Sequence, residues 1–241
     1  DLAFFEASLV GETIQSIGRR GKFLIFHLDH YELISHLRME GKYQFTKENT
    51  PIDKHTHVLF FFEDGSQLRY NDVRKFGRMT IVEKGASATY RGIMKLGPEP
   101  LPDSFLLADF AAGLKKSHKA IKPLLLDQRL VTGLGNIYVD EALWEAKIHP
   151  EQPANTLCPK EIEQLRLSII DVLNRAIEAG GTTIRSYLNA LGESGGFQVA
   201  LHVYQQTGKP CIRCGTPIVK IKVAQRGTHY CPNCQRLKIE K

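Results

Sequence analysis

The residue types best suited to chemistry lie near the C-terminal end: Cys211-x2-Cys214, sixteen intervening residues, then Cys231-x2-Cys234. Each CxxC pair forms a tight knuckle that aims two thiolates at one ion. The stretch between them, β-branched from Ile218 to Val223, has the length of a hairpin joining the knuckles. Four sulfurs fill a tetrahedral shell and leave no position for a reactive water, which points to one structural Zn2+ and not a catalytic metal. Two disulfides or four free thiols are the competing explanations. No secretory pattern opens the sequence, so reduced, metal-binding cysteines are expected. Cys158, followed by Pro159 and Glu161, reads as a helix cap or packing residue and not a fifth ligand.

Two further features suit an anion. Arg226-Gly227-Thr228 falls on the later part of the expected hairpin, where a guanidinium fork matches two phosphate oxygens; by itself it is equally one more surface arginine. Gly133-Leu134-Gly135-Asn136 opens a helix after Lys122 on the preceding one. Such a turn lets backbone N–H groups and the positive helix end approach a phosphate, although the same string also serves as plain helix punctuation.

The elements that must position these groups fall into an α+β pattern. Short β-like runs cover Lys22–Leu28, Leu33–Met39, His57–Glu63, Gln67–Tyr70 and Met79–Val82, with a hairpin signal at Asp64-Gly65, and predict an antiparallel β-sandwich over residues 1–95. A proline-rich linker, 96–102, follows. Residues 103–206 predict a helical domain: helices from a cap at Asp103 to Leu114, Ile121–Leu130, Ile137–Ala146 capped by Asn136, and Pro159–Ala179 with an apolar stripe ending at Ile177. Glu193 to Phe197 reads as a mobile glycine-rich loop, and residues 207–241 as the finger. The net charge of +6 is concentrated: residues 201–241 carry +7 and the rest −1, the footprint expected of a polyanion-binding face or of a solvated basic tail. No apolar run is long enough to cross a bilayer, so an intracellular, cytoplasmic protein with no membrane partner is expected.

These strings together resemble the formamidopyrimidine-DNA glycosylase family: the finger, IKPLLLDQRLVTGLGNIYVDEALW, RRGKFLIF with LISHLRMEGKY, and NDVRKFG. The resemblance runs over essentially all 241 residues. It implies a bacterial base-excision repair enzyme, a glycosylase with abasic-site lyase activity, acting as a monomer on double-stranded DNA that holds an oxidised purine or an abasic site. It also implies a helix-two-turns-helix in the central string. Residue by residue, it makes Lys22 a proton donor in strand cleavage and links Arg226 to the final elimination. Met39, Arg74 and Phe76 become the trio that fills the duplex gap left by an extruded nucleotide; without the resemblance, Met39 and Phe76 would be read as core. His55, Arg74, Lys122, Asn136 and Arg226 become DNA contacts, and Glu193, Gly195, Gly196 and Phe197 part of the loop that closes over the base.

In that family the mature chain begins Pro-Glu-Leu-Pro-Glu. The proline amine is the nucleophile, because an α-amino group with a pKa near about 8 is far more deprotonated at neutrality than a lysine at about 10.4. This chain opens Asp1-Leu2-Ala3-Phe4-Phe5, so the expectation is that a polypeptide of these residues lacks glycosylase activity by that route while still binding DNA. Two alternatives accompany the enzyme: a non-catalytic damaged-DNA-binding module, and an endonuclease VIII-like enzyme for oxidised pyrimidines. The trio argues against the second. A generic zinc ribbon would explain the cysteines and charge but not GLGN or RKFG.

Overall fold

The computed structural model describes residues 2–47, 50–183 and 189–238. Glu240 and Lys241, counted in the basic segment, lie outside the described residues. The chain divides into two compact units, residues 1–94 with 181–196, and residues 95–180 with 197–241.

In the first unit a short helix, α1 (Leu2–Ala7), precedes seven strands: β1 (Ser16–Arg20), β2 (Phe23–His27), β3 (Tyr31–His36), β4 (Lys42–Lys47), β5 (Thr56–Phe61), β6 (Ser66–Asn71) and β7 (Arg78–Glu83). They form two antiparallel sheets in the orders β1-β2-β3-β7 and β4-β6-β5. The expected sandwich is therefore present, with β1 and β4 as strands that the sequence pattern did not delimit. Its core joins Phe26, Leu28 and Leu33 of the first sheet to Tyr43 and Tyr70 of the second. β2 and β3 read as continuous apolar runs because both faces are covered. Ile25 and Ile34 point away from that core and pack with Ile93 of α2 (Arg91–Met94).

The β5–β6 hairpin forms at Asp64-Gly65 as expected, and two other local expectations change. The Asp64-Gly65 turn closes between Phe62 and Ser66 (N–H to O 3.0 Å), with Gly65 at φ 78°. It is a three-residue loop, its length set by the Asp64 carboxylate, which accepts from the Ser66 N–H at 2.9 Å. Lys22 sits in the two-residue turn Gly21-Lys22 ahead of β2, and Met39 lies beyond the end of β3, where Arg38 adopts φ 57°. Finally, residues 189–196, expected in the helical domain, belong to the first unit: the Phe45 N–H on the free edge of β4 donates to the Ala190 carbonyl at 2.9 Å.

The second unit holds α3 (Leu107–Lys115), α4 (Ile121–Leu126), α5 (Asn136–Glu145), α6 (Pro159–Glu178) and the hairpin β8 (Val219–Val223) and β9 (Arg226–Tyr230). The N-cap of α3 is Leu106, with no side-chain cap, so Asp103 does not cap it; instead residues 101–104 turn and bury Phe105 at 1 % exposure. α4 stops at Leu126, four residues early. Gln128 leaves the helix at φ 67° and staples the next turn, accepting from Gly133 N–H at 2.9 Å and donating to the Leu134 carbonyl at 2.7 Å. Two turns thus separate α4 from α5, and Gly133, at φ 95°, is where they require glycine. α6 begins as expected: the Cys158 N–H donates to the Glu161 carboxylate at 2.9 Å. Its stripe is buried from Ile162 to Ala176, but Ile177 is 70 % exposed, because the helix outruns its packing partners. Among the described residues no helix is long and apolar enough to cross a membrane.

Candidate functional site

In the first unit, Met39, Arg74 and Phe76 come together at the surface although 35 residues separate the first two. Arg74 Nη1 donates to Met39 Sδ at 3.1 Å, and the guanidinium carbon stands 4.6 Å from the Phe76 ring centroid. Met39 is 63 % and Phe76 49 % exposed, so neither is a core residue.

One carboxylate holds the loop of Arg74 and Phe76. Asp72, 1 % exposed, accepts from the backbone N–H of Arg74 (3.0 Å), Phe76 (2.9 Å) and Gly77 (2.8 Å) and from the Tyr70 hydroxyl (3.1 Å). Burial alone would push its carboxyl up, but these donors outweigh burial and hold it below the ordinary range. A side chain at Gly77 would meet the Tyr70 hydroxyl at 1.6 Å, so glycine is required there. His55, half-buried, accepts the Asp72 N–H through its carbonyl at 3.0 Å.

Lys22 is exposed in its turn near His36. Burial, then the charges of Arg38 and Lys22, push His36 down to about 4, so its imidazole is neutral at physiological pH. Its Nδ1 accepts from the Arg38 N–H at 3.0 Å, which leaves the ring proton on Nε2. Sequence reasoning passed over His36; the available signal was its place in HLRM, two residues before Arg38.

The glycine-rich segment is tied down more than a mobile loop requires. Asn189 Oδ1 accepts from the N–H of Leu191 (3.0 Å) and Glu193 (2.9 Å), and the buried Gly195 donates to Thr183 Oγ1 at 2.9 Å. Phe197 does not share these surroundings. It belongs to the second unit, 3 % exposed, edge-on to Tyr138 at 5.8 Å.

The second unit corrects two expectations. Lys122 is fully buried, and its ammonium donates to Asp140 Oδ1 (2.6 Å), Thr228 Oγ1 (2.8 Å) and the Gly227 carbonyl (3.2 Å). All three protons are used, so it has none to offer a phosphate. Burial pushes its pKa down and Asp140 opposes this. Asn136 is the first helical residue and not a cap; its Nδ2 donates to the Gly227 carbonyl at 2.9 Å. Asp140 Oδ2 accepts the His229 N–H at 2.9 Å. α4 and α5 therefore grip three consecutive residues of β9, and what they present is Arg226, exposed at its head. The turn before it, Ala224-Gln225, has φ 45° and 64° at two non-glycine residues, a primed hairpin turn held under strain.

The four cysteine sulfurs lie within 4.8 Å of one another, with Cys214–Cys231 and Cys214–Cys234 at 3.5 Å and Cys211–Cys234 at 3.9 Å. Zn–S bonds of about 2.3 Å in a tetrahedron place sulfurs about 3.8 Å apart, so the thiols fit that ion. Thr216, through its hydroxyl and N–H, pulls Cys214 down to about 5, whereas burial and the neighbouring sulfurs push Cys234 to about 12.

The chain matches three family models: Formamidopyrimidine-DNA glycosylase N-terminal domain over residues 1–79, Formamidopyrimidine-DNA glycosylase H2TH domain over 96–187, and Zinc finger found in FPG and IleRS over 208–237. A protein named formamidopyrimidine-DNA glycosylase from Enterococcus faecalis is 70 % identical over 234 residues, covering 97 % of this chain and 84 % of that protein. Among solved structures, a Lactococcus lactis FPG mutant in complex with Fapy-dG-containing DNA shares 50 % identity at a TM-score of 0.93, and L. lactis Fpg with abasic-site DNA 51 % at 0.93. Each alignment covers 97 % of this chain and 86 % of the other.

Proposed function

Because the chain belongs to the formamidopyrimidine-DNA glycosylase family, we propose that it recognises double-stranded DNA containing an oxidised purine or an abasic site, as a monomer, and supplies the framework for base excision followed by strand cleavage. The observation that carries this reading is the surface cluster of Met39, Arg74 and Phe76. Two exposed apolar groups replace the stacking lost when a nucleotide leaves the duplex, and the guanidinium between them pairs with the base left behind.

The other residues take supporting roles. Lys22, in a tight two-residue turn, and Arg226, directly after one, are exposed cations that approach the sugar-phosphate, with Lys22 as proton donor in β-elimination and Arg226 in the last elimination. Neutral His36 adds an Nε2–H donor beside Lys22, and His55 a further contact. Lys122 acts by holding β9, and half-exposed Asn136 holds it through one amide proton while offering a DNA contact. Glu193, Gly195 and Gly196 border the base, with Phe197 anchoring the segment's end. Cys211, Cys214, Cys231 and Cys234 would hold one structural Zn2+, whose contribution is to lock the hairpin's base.

Titrating the chain with a duplex carrying an abasic-site analogue and with the intact duplex, at two salt concentrations, tests the reading. Tighter lesion binding is expected, with affinity falling by roughly 0.9 log units per log unit of salt for each phosphate neutralised. Equal affinity for both duplexes overturns damage recognition.

A further inference from the structure

Trp144 is the only tryptophan in the chain and is 3 % exposed, on α5. The Arg213 guanidinium covers it, its carbon 3.5 Å from the ring centroid, while Nη1 donates to the Trp144 carbonyl at 2.6 Å. The His202 ring packs against the indole as well, with centroids 4.4 Å apart. The same apolar cluster contains Cys211, Cys231, Val203 and Ile218.

An indole enclosed this way ordinarily places its N–H on an acceptor, yet Trp144 Nε1 is buried and makes no full hydrogen bond. The group beside it in that cluster is the Cys211 thiol, with which the indole side chain interacts. A neutral thiol is a weak acceptor, whereas a metal-bound thiolate carries charge and accepts strongly.

We propose that Trp144 is an outer partner of the zinc: its indole N–H donates to the Cys211 thiolate when the four cysteines hold the ion, and Arg213, inside the first knuckle, clamps the ring in that orientation. This rests on the reading of the four cysteines as a zinc site. The bond ties the finger directly to α5 and holds one ligand oriented and deprotonated, so the ion leaves more slowly. It also makes the sole indole a reporter of the metal.

The test uses the full chain. Elemental analysis first establishes bound zinc. The metal is then exchanged for 113Cd, and the single indole Hε1 resonance is examined for a scalar coupling to cadmium across the N–H···S bond. Trp144→Phe, which keeps an aromatic ring under Arg213 but no donor, is compared for zinc release to a chelator and, with Co2+, for the thiolate charge-transfer band. Coupling to Hε1, roughly 10- to 100-fold faster release in the variant, and a red-shifted cobalt band are expected. Metal-loaded protein with no Hε1 coupling overturns the proposal, and this readout needs no variant to fold. Unchanged release and band position in Trp144→Phe overturn it too. A chain that binds no metal at all overturns the zinc reading instead, and the inference with it.

Discussion

Lys22 and Lys122 were both expected to face DNA, yet one is exposed in a turn and the other is sealed in the interior with all its protons donated. The same contrast separates the regions around them. In the first unit, exposed Arg74 and Phe76, with Met39 bonded to Arg74, hang from one buried carboxylate, Asp72. In the second, exposed Arg226 hangs from a buried ion pair, Lys122–Asp140. The proposed recognition groups and their supports are thus different residues. Changing a group should cost affinity at little cost in stability, and changing a support should cost both.

The largest expected effect is at the metal. Chelation or Cys211→Ser should unfold the finger, since structural zinc in such modules contributes about 10–16 kcal/mol. Far-UV circular dichroism and DNA titration read it, and a chelated chain that keeps full affinity would break the support half of the comparison. Next, Lys122→Met strands a buried Asp140 and should cost about 3–5 kcal/mol, whereas Lys122→Met with Asp140→Leu should recover most of that. Urea midpoints for the single and double variants decide whether the pair acts as a unit.

Asp72→Ala removes the acceptor of three backbone donors and should cost about 1–3 kcal/mol, with weaker lesion discrimination. Because the folded Asp72 carboxyl lies below its ordinary value, its contribution is fully present above the unfolded pKa of about 3.9 and is lost as pH falls through the lower folded value. The wild-type loop should therefore loosen only in strong acid, and the acid limb of the unfolding curve should flatten in the variant. The smallest stability effect is expected for alanine at Met39 or Phe76, within about 0.5 kcal/mol, together with a clear fall in preference for lesion over intact duplex. A substantial loss of stability there would return both residues to the core.

Much of this was legible beforehand. The CxxC spacing is local and covalent, so it predicted a hairpin between knuckles that the structure contains, and short runs rich in β-branched and aromatic residues predicted an antiparallel sandwich. Motif strings named Met39, Arg74 and Phe76, which the fold brings into contact. What escaped was set by remote partners. α4 ends at Leu126 because Gln128 finds acceptors and donors in the following turn, not because its apolar period stops. Residues 189–196 leave the helical unit because β4 has a free edge to fill. His36 carries no special spacing, and its neutral state exists only where burial and two cations surround it.

By itself, the sequence determined the ligand set, the element types and the family, because those depend on residue identity and short-range spacing. Tertiary structure alone decided which charged groups face solvent. A lysine's chemistry is the same wherever it lies in the chain. Whether it meets a phosphate or a buried aspartate depends on contacts across a hundred residues, as between Lys122 and Thr228, that no local pattern encodes.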